Sequence, residues 1–415
     1  MEGNSVNSYT MQCTRPVRSL AAAVLFVLVL LIIGGSRAAS AKDNFYTNPL
    51  PLTTPSGMAV ESCADPSVIY AGPTGENAWY LYCTTDPLSG RDRDAQGNLI
   101  FHLIPTFRST DLVHWLYTGD AFAARPSWVA ANAGLWAPSV EYFNNHYYLY
   151  YTASDTSLPE GGSAIGVATS ASPSGPWTDT GVPVVKPHAP ECCPNDKRWT
   201  FDPAIIADDT GQRYIYYGSY FGGISVRKLS ADGLQSDEAS QVQITIANRY
   251  EGAYVLKRGG YYYLFGSATN CCNGPLTGYS VFVGRADNPL GPFVDAEGVA
   301  LLQERVGGTL SMNGNRWVGP GHNAVVTDLA GQDWIVYHAV DRNDPYFAGA
   351  VGFTKRPVLM DALDWVNGWP LVRGGAFASS TPQRVPVTET GNLPRKRVEL
   401  VGIQEPRKQY PELSD

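Results

Sequence analysis

Three carboxylates, a histidine and a tryptophan precede five similar apolar segments, and their types and spacing suit a chemical site. They are Asp65, Trp136, Asp202, Glu251 and His322. Cleavage of a glycosidic bond needs one carboxylic acid to protonate the leaving oxygen and one carboxylate on the opposite face of the sugar. A third carboxylate nearby raises the pKa of the acid, because neighbouring negative charges disfavour each other. The set therefore suits sugar hydrolysis, with Trp136 available to stack on a sugar ring.

The segments that follow these residues belong to an internal repeat. A short aromatic strand occurs five times, as Trp79-Tyr-Leu-Tyr82, Tyr147-Tyr-Leu-Tyr150, Arg213-Tyr-Ile-Tyr216, Tyr262-Tyr-Leu-Phe265 and Asp333-Trp-Ile-Val336. Aligned at the second residue, successive copies are 68, 66, 49 and 71 residues apart. A second apolar segment precedes each copy, a third follows it, and turn residues close the unit. Four strands per unit without helical periodicity indicate a propeller blade, so the sequence predicts an all-β, five-bladed β-propeller.

The candidate residues share one position in this repeat. All but Asp65 lie 12 residues before the aligned aromatic residue of their copy, and Asp65 lies 15 residues before Tyr80, across a longer turn. Because the innermost strands of a propeller surround a central channel, equal positions predict that the five side chains meet at one mouth of that channel. Taken singly, each residue has a structural explanation, such as a turn-forming Asp-Pro pair, a surface ion pair or a core aromatic. The shared position favours a site.

Composition narrows the class of ligand. The chain of 415 residues has 30 Lys and Arg against 38 Asp and Glu, a net charge of -8, without clusters of basic residues. A nucleic-acid-binding protein is expected to have basic clusters, so we expect no nucleic-acid partner. The charged fraction of 16% suits a neutral ligand rich in hydroxyl groups.

Residues 1–41 have the pattern of a secretion signal. Arg15 and Arg18 precede an apolar run from Leu20 to Ile33, and Ala39-Ser40-Ala41 fits a cleavage site. The alternative is an uncleaved membrane anchor, for which the run is short. We expect a secreted protein that is free of the membrane after cleavage. The propeller is predicted over 42–375, and residues 376–415 are predicted to form a tail, partly packed near the blades or otherwise disordered.

Six cysteines remain after the predicted signal segment, and they are Cys63, Cys83, Cys192, Cys193, Cys271 and Cys272. Their spacing lacks the arrangement of a zinc site, and an exported protein favours disulfides. Six cysteines allow 15 pairings, so the connectivity does not follow from the sequence. We expect Cys63 to pair with Cys83, and one or two bridges to join 192/193 to 271/272, with free buried thiols as the alternative.

At the candidate site the sequence resembles glycoside hydrolase family 43, in particular its endo-arabinanase and arabinofuranosidase-like members. The resemblance spans nearly the whole chain after the signal segment. Its motifs are Ala64-Asp65-Pro66-Ser67, Leu135-Trp136-Ala137-Pro138, Phe201-Asp202-Pro203, Glu251-Gly252-Ala253-Tyr254 and Gly319-Pro-Gly-His322-Asn323, and Thr269-Asn-Cys-Cys272 and Gly218-Ser219-Tyr-Phe-Gly-Gly223 also look arabinanase-like. The family folds as a five-bladed propeller and hydrolyses with inversion, which the resemblance implies here.

The resemblance also implies roles for individual residues. Asp65 is expected to be the general base, Asp202 the residue that modulates the pKa of the acid, and Glu251 the general acid. The expected substrate-binding residues are Trp136, Ser219 and Tyr220. By residue type, His322 suits either a metal ligand or a hydrogen-bond partner for a carboxylate. The resemblance implies that it helps to hold a calcium ion in the central channel, largely through water.

The implied function is hydrolysis of α-L-arabinofuranosyl linkages in arabinan or a related plant cell-wall polysaccharide. One alternative is a β-xylosidase, since the same family and the same three carboxylates serve both sugars. The other is a non-catalytic sugar-binding propeller, against which three clustered carboxylates argue. Endo or exo action stays open, because it depends on the conformations of loops between the blades, at 86–100, 155–162, 186–199 and 270–278.

Overall fold

The computed structural model describes residues 44–303, 309–311 and 314–389. The predicted signal segment and residues 390–415 lie outside the described residues. The described chain consists of 25 β-strands and two single-turn 3-10 helices, Gly72–Thr74 and Gly274–Leu276. Within these ranges, no helix has the length and hydrophobicity to cross a membrane.

Twenty of the strands form five units of four antiparallel strands, which we call blades 1 to 5, and a fifth strand, β2, extends the sheet of blade 1. Blade 1 contains β3 (Ser67–Tyr70), β4 (Trp79–Tyr82), β5 (Pro105–Ser109) and β6 (Trp115–Asp120). Blade 2 contains β7 (Leu135–Phe143), β8 (His146–Ala153), β9 (Ala164–Ser170) and β10 (Thr178–Asp179). Blade 3 contains β11 (Ala204–Ala207), β12 (Arg213–Ser219), β13 (Gly223–Leu229) and β14 (Ser236–Gln243).

Blade 4 contains β15 (Tyr250–Arg258), β16 (Tyr261–Ala268), β17 (Ser280–Ala286) and β18 (Thr309–Ser311). Blade 5 contains β19 (Trp317–Thr327), β20 (Asp333–Asp341), β23 (Val358–Val366) and β24 (Trp369–Val372). The first strands of the blades contact one another in cyclic order, β3 with β7, β7 with β11, β11 with β15, β15 with β19, and β19 with β3. This closed ring of innermost strands confirms the predicted five-bladed β-propeller.

The repeated aromatic strand is the second strand of every blade, and both of its faces are buried. In β4, Trp79 and Leu81 pack toward blade 5, whereas Tyr80 and Tyr82 pack toward blade 2. Successive side chains of a strand point to opposite faces, so a continuous apolar run fills the space between two neighbours. Five apolar clusters result, one at each junction between adjacent blades.

The two ends of the described chain close the ring where blade 1 meets blade 5. β1 (Phe45–Tyr46) pairs with β25 (Gln383–Arg384), and the side chain of Asn48 donates a hydrogen bond to Met360 O at 2.9 Å. β2 (Leu52–Thr53) lies parallel to β6 outside blade 1. The start of the predicted tail, residues 376–389, therefore packs on the propeller, and Ala378 and Ser379 are buried.

The cysteine pairing is confirmed in one part and wrong in another. Cys63 and Cys83 form the predicted disulfide. The bridges expected between 192/193 and 271/272 are absent from the described residues, because the adjacent Cys271 and Cys272 bond to each other. Cys192 and Cys193 remain thiols, with Sγ atoms 2.6 Å apart. The sulfur atoms that lie close together thus belong to adjacent residues of the same loop. The sequence interpretation had instead predicted bridges between the two loops.

A hairpin in blade 5 carries the remaining strands, β21 (Tyr346–Phe347) and β22 (Ala350–Thr354). It lies between β20 and β23 in the sequence, and Thr354 at its end contacts the loop that follows β16.

Candidate active site

Each innermost strand has a residue in the left-handed backbone region near its start, two positions before β3 and β11 and within β7, β15 and β19. These residues and their φ angles are Asp65 at 53°, Ala137 at 47°, Asp202 at 57°, Gly252 at 62° and His322 at 49°. Each lies two positions before the residue that pairs with the end of the aromatic motif, as in the pairs Ser67 with Tyr82 and Ala204 with Tyr216. A positive φ is uncommon for residues with side chains, and such positions cluster at functional sites.

This register corrects the sequence alignment by one residue in two blades. Trp136 and Glu251 lie one position before the left-handed residue, whereas Asp65, Asp202 and His322 occupy it. The cause is the hairpin that follows the innermost strand. Blades 2 and 4 use two-residue turns, at 144–145 and 259–260, while blades 3 and 5 use five-residue turns. An equal offset of 12 residues therefore does not mean an equal structural position.

Despite this shift, the predicted residues come together in one cavity of about 530 Å³, a usual size for a ligand pocket. The predicted residues that line it are Asp65, Trp136, Asp202, Ser219, Glu251 and His322. Tyr220 reaches the site through its backbone amide, which donates a hydrogen bond to Glu251 Oε2 at 3.0 Å. Its neighbour Phe221 lines the cavity. The Ser219 hydroxyl is buried without a hydrogen-bond partner in the described structure, so it is available to a ligand.

Asp65 is held as a carboxylate by residues of blade 5. Arg356 Nη1 lies 3.2 Å from Asp65 Oδ1, and Nδ1 of His322 lies 3.3 Å from the same oxygen. Burial, the largest single influence, would raise the pKa of Asp65, but the Arg356 guanidinium together with His322 and His338 outweighs it and holds the pKa well below its usual range. The backbone N–H of Asp65 donates to Nδ1 of His338 at 3.2 Å. Burial lowers the pKa of His338 to about 4, so this imidazole is neutral.

Asp202 and Glu251 have the opposite electrostatic environment. Burial, and then the Glu251 and Asp65 carboxylates, raise the pKa of Asp202 well above its usual value. Burial also raises the pKa of Glu251, against the effect of hydrogen bonds donated by the Tyr279 hydroxyl and the Tyr220 amide. The pKa of Asp65 is thus lowered while the pKa values of Asp202 and Glu251 are raised, which is the asymmetry that acid and base roles require.

Side chains of the aromatic strands hold the left-handed residues in place. In four blades, the backbone N–H of the left-handed residue donates a hydrogen bond to a side chain of the preceding blade. The accepting residue lies four positions after the aligned aromatic residue of that preceding blade. These pairs are Asp65 with His338, Ala137 with Thr84, Asp202 with Thr152 and His322 with Ser267. In blade 3 that position is Gly218, and the Gly252 N–H donates to Asp202 Oδ2 instead, at 2.8 Å.

Three contributors to the site, Arg356, His338 and Tyr279, were missed in the sequence. His338 occupies the same repeat position as Thr84 and Thr152, so a comparison of that position across the five copies would have found it. Arg356 and Tyr279 lie outside the aligned segments, just before β23 and just before β17. No signal in the repeat marks them.

Comparisons with known proteins agree with this geometry. The sequence profile of glycosyl hydrolases family 43 matches residues 58–370. The chain is 32% identical to the extracellular exo-α-(1→5)-L-arabinofuranosidase ArbA of Cellvibrio japonicus, over 77% of this chain and 89% of that protein. It is 30% identical to the extracellular endo-α-(1→5)-L-arabinanase 1 of Bacillus subtilis, over 81% and 95% of the two chains.

Solved structures give the same result. The α-L-arabinanase of Cellvibrio cellulosa, in complex with arabinohexaose, superposes with a TM-score of 0.60 at 29% identity, over 75% of this chain and 96% of that chain. An endo-arabinanase of family 43 from Bacillus licheniformis also superposes with a TM-score of 0.60, at 28% identity, over 75% and 97% of the two chains. On the match of its fold, its site and more than half of its sequence, the chain belongs to glycoside hydrolase family 43.

Proposed function

We propose that the protein hydrolyses α-1,5-linked L-arabinofuranosyl bonds of arabinan with inversion at the anomeric carbon. The observation that carries the proposal is the electrostatic asymmetry of three carboxyl groups that line one cavity, where Arg356 and two histidines lower the pKa of Asp65 while burial raises the pKa values of Asp202 and Glu251. The substrate follows from the named activities of the relatives, which act on α-(1→5)-linked arabinofuranosyl chains.

In the proposed mechanism, Glu251 donates its proton to the glycosidic oxygen as the bond to the anomeric carbon breaks. A water molecule attacks that carbon from the opposite face, and Asp65 accepts its proton. The products are a hemiacetal of inverted configuration and a free hydroxyl on the leaving sugar. The Tyr279 hydroxyl and the Tyr220 amide orient the two oxygens of Glu251. Burial raises the pKa of Tyr279 well above its usual value, so it remains a donor.

Asp202 is proposed to modulate the acid. Its negative charge, when present, disfavours ionisation of Glu251. Its carboxylate is fixed by the N–H of Gly252, the residue that follows Glu251. The carboxyl groups of Asp202 and Glu251 are thus both fixed at the start of β15, which keeps the distance between them constant.

Trp136 and Ser219 are proposed to bind the sugar. Trp136 is 38% exposed and lies parallel to Phe201, with ring centroids 6.0 Å apart and an interplanar angle of 17°. Such a pair offers a flat apolar surface to the C–H face of a sugar. Tyr220 is proposed to act beside them by positioning Glu251.

We propose that the enzyme acts outside the cell. Two observations support this, namely the signal-like sequence of residues 1–41 and the word extracellular in the names of two relatives. Arabinan and its oligosaccharides are the proposed partners.

The proposal is tested by offering debranched arabinan, xylan and arabinoxylan to the enzyme, and by following the anomer of the released sugar with proton NMR. We expect reducing ends from arabinan and an inverted anomer at early times. A retained anomer would refute inversion. Release of xylose in preference to arabinose would favour the β-xylosidase alternative, and binding of arabinan without hydrolysis would favour a sugar-binding propeller.

A calcium ion in the central channel is a separate proposal. His322 and Asn323 both line the channel cavity beneath the active site, and both side-chain atoms of the buried Asn323 amide lack a hydrogen-bond partner among the described residues. No three His, Cys, Asp or Glu side chains of the described ranges gather to form a site. The residues therefore fit an ion held by His322, by Asn323 Oδ1 and mainly by water, as calcium tolerates.

When bound, the ion would add positive charge beneath the site, and no proton transfer is assigned to it. Elemental analysis of the purified enzyme should find about one calcium per chain, and EDTA should lower the melting temperature. An unchanged melting temperature and no bound metal would contradict the proposal, leaving His322 as a hydrogen-bonding residue.

A further inference from the structure

The cavity that holds the carboxylates adjoins a second cavity. The first has a volume of about 530 Å³ and the second about 540 Å³. Three residues line both of them, Trp136, Cys272 and Arg356. These residues lie at the boundary between the cavities, which we call the neck, and a sugar chain that occupies both cavities must pass them.

One side of the neck is the disulfide between the adjacent residues Cys271 and Cys272. Both cysteines line the first cavity, and Cys272 also lines the second. Cys272 is exposed and Cys271 is half-buried, whereas the other disulfide, between Cys63 and Cys83, is buried. A disulfide between adjacent residues closes a small ring whose sulfur atoms are apolar and polarizable. It therefore offers a compact, apolar surface that does not need hydrogen bonds.

The loop that carries this disulfide is fastened on both sides. The Asn270 side chain accepts a hydrogen bond from Gly278 N at 3.0 Å and donates one to Leu276 O at 3.0 Å. Thr354 at the end of β22 accepts from Gly274 N at 2.9 Å and donates to Cys272 O at 3.2 Å. Anchors of this kind hold a binding surface in place before the ligand arrives, which reduces the entropy lost on binding.

The second cavity continues the apolar surface beyond the neck. Phe101 and Phe353 line it and contact each other edge to face, with ring centroids 5.6 Å apart. Phe353 belongs to β22, the strand that also anchors the disulfide loop. Cys272 of the disulfide and the two phenylalanines thus line the same cavity.

We propose that the disulfide of Cys271 and Cys272 is a specificity-determining sugar-binding surface, on which an arabinofuranosyl unit adjacent to the cleaved bond packs its C–H face as the chain spans both cavities. The inference rests on the proposed hydrolysis of arabinan and adds to it the residue pair that binds substrates longer than one sugar. It also makes binding of long substrates sensitive to reduction. A dithiol reductant would donate two electrons and two protons to the exposed disulfide, giving two thiols and the oxidised reductant.

The test compares a short and a long substrate. The double variant Cys271→Ala/Cys272→Ala should raise KM for arabinohexaose about five- to tenfold, with kcat within about twofold. For an aryl α-L-arabinofuranoside, which is too short to cross the neck, KM should not change. The matched control is Cys192→Ala/Cys193→Ala, another adjacent pair that forms no disulfide, and its KM for arabinohexaose should stay at the wild-type value.

A reduction experiment covers the case in which the variant does not fold. Dithiothreitol at neutral pH should raise KM for arabinohexaose in the wild-type enzyme, and removal of the reductant should restore it. The buried disulfide of Cys63 and Cys83 should persist, as a constant melting temperature would report. Normal hydrolysis of arabinohexaose, with KM unchanged by substitution and by reduction, would overturn this inference alone. An absence of hydrolysis by the wild-type enzyme would instead refute the proposed function.

Discussion

The backbone N–H of Gly252 donates a hydrogen bond to Oδ2 of Asp202 at 2.8 Å. In four of the five blades the equivalent N–H is satisfied by a side chain of the preceding aromatic strand. Gly218, at that position in blade 3, has no side chain, and an added Cβ would lie 1.9 Å from Gly223 O. Because Gly218 has no side chain to accept the hydrogen bond, the Gly252 N–H donates to Asp202 instead. This hydrogen bond places the carboxylate of Asp202 beside the start of the strand that carries Glu251.

Asp202→Asn should separate the effect of the negative charge of Asp202 from the effect of its hydrogen bond with Gly252. The amide oxygen of Asn still accepts from Gly252, so the fold should be unchanged, while the loss of negative charge lowers the pKa of Glu251. The alkaline limb of the kcat/KM profile reports the acid, and it should move to lower pH. Asp208→Asn, at the other end of β11, is the control and should leave the profile in place. An unmoved limb in Asp202→Asn would exclude the modulating role.

Asp202→Ala should add a loss of stability that Asp202→Asn does not have. It leaves the N–H of Gly252 without its acceptor, which costs about 1–3 kcal/mol for a buried group. Urea denaturation of the two variants measures the difference. Equal midpoints would show that the hydrogen bond to Gly252 contributes little.

Glu251→Gln should distinguish substrates by their leaving groups. A glutamine cannot protonate the leaving oxygen, so kcat on arabinan should fall by about 100-fold or more. An aryl arabinofuranoside with a nitrophenolate leaving group needs little protonation and should lose far less. The same fractional loss on both substrates would contradict the assignment of Glu251 as the acid.

Asp65→Asn should reduce kcat on both kinds of substrate alike, by about 100-fold or more, because the attacking water loses its base whichever group departs. Arg356→Gln should resemble it in part, since it removes the guanidinium that keeps Asp65 ionised. Initial rates on arabinan and on the aryl glycoside measure both. Near-normal turnover in Asp65→Asn would remove the base from the mechanism.

The cysteine arrangement predicts which thiols react. After denaturation without reductant, iodoacetamide should label Cys192 and Cys193, while the four other cysteines of the described chain remain in disulfides. In the native state Cys192 should react slowly near pH 8, although the residue is exposed, because partial desolvation of its thiol and the adjacent Cys193 raise its pKa to about 11. Peptide mapping by mass spectrometry gives the answer. A cross-linked peptide joining 192/193 to 271/272 would contradict this arrangement and support the disulfides predicted from the sequence.

The propeller was predictable because its aromatic strands are buried on both faces, which leaves a continuous apolar run five times in the sequence. The site was predictable to within one residue. Trp136 and Glu251 were placed one position off because their blades have two-residue turns, whereas blades 3 and 5 have five-residue turns. An alignment at the aromatic residues does not reveal this difference in turn length. Arg356 was not predictable, since its contact with Asp65 spans 291 positions and follows no repeat. The loop cysteines were misassigned because spacing does not show which sulfur atoms meet.

The closure of the ring between blades 1 and 5 has a consequence for the order in which the enzyme matures. Asp65 is among the first residues of the propeller to be synthesised, whereas His322, His338 and Arg356, which surround its carboxylate, are among the last. Domains of nascent chains form from the N-terminal side onward. A chain that stops before Arg356 would thus carry the proposed base without its guanidinium, and we expect such a premature stop to yield an inert protein rather than a weaker hydrolase.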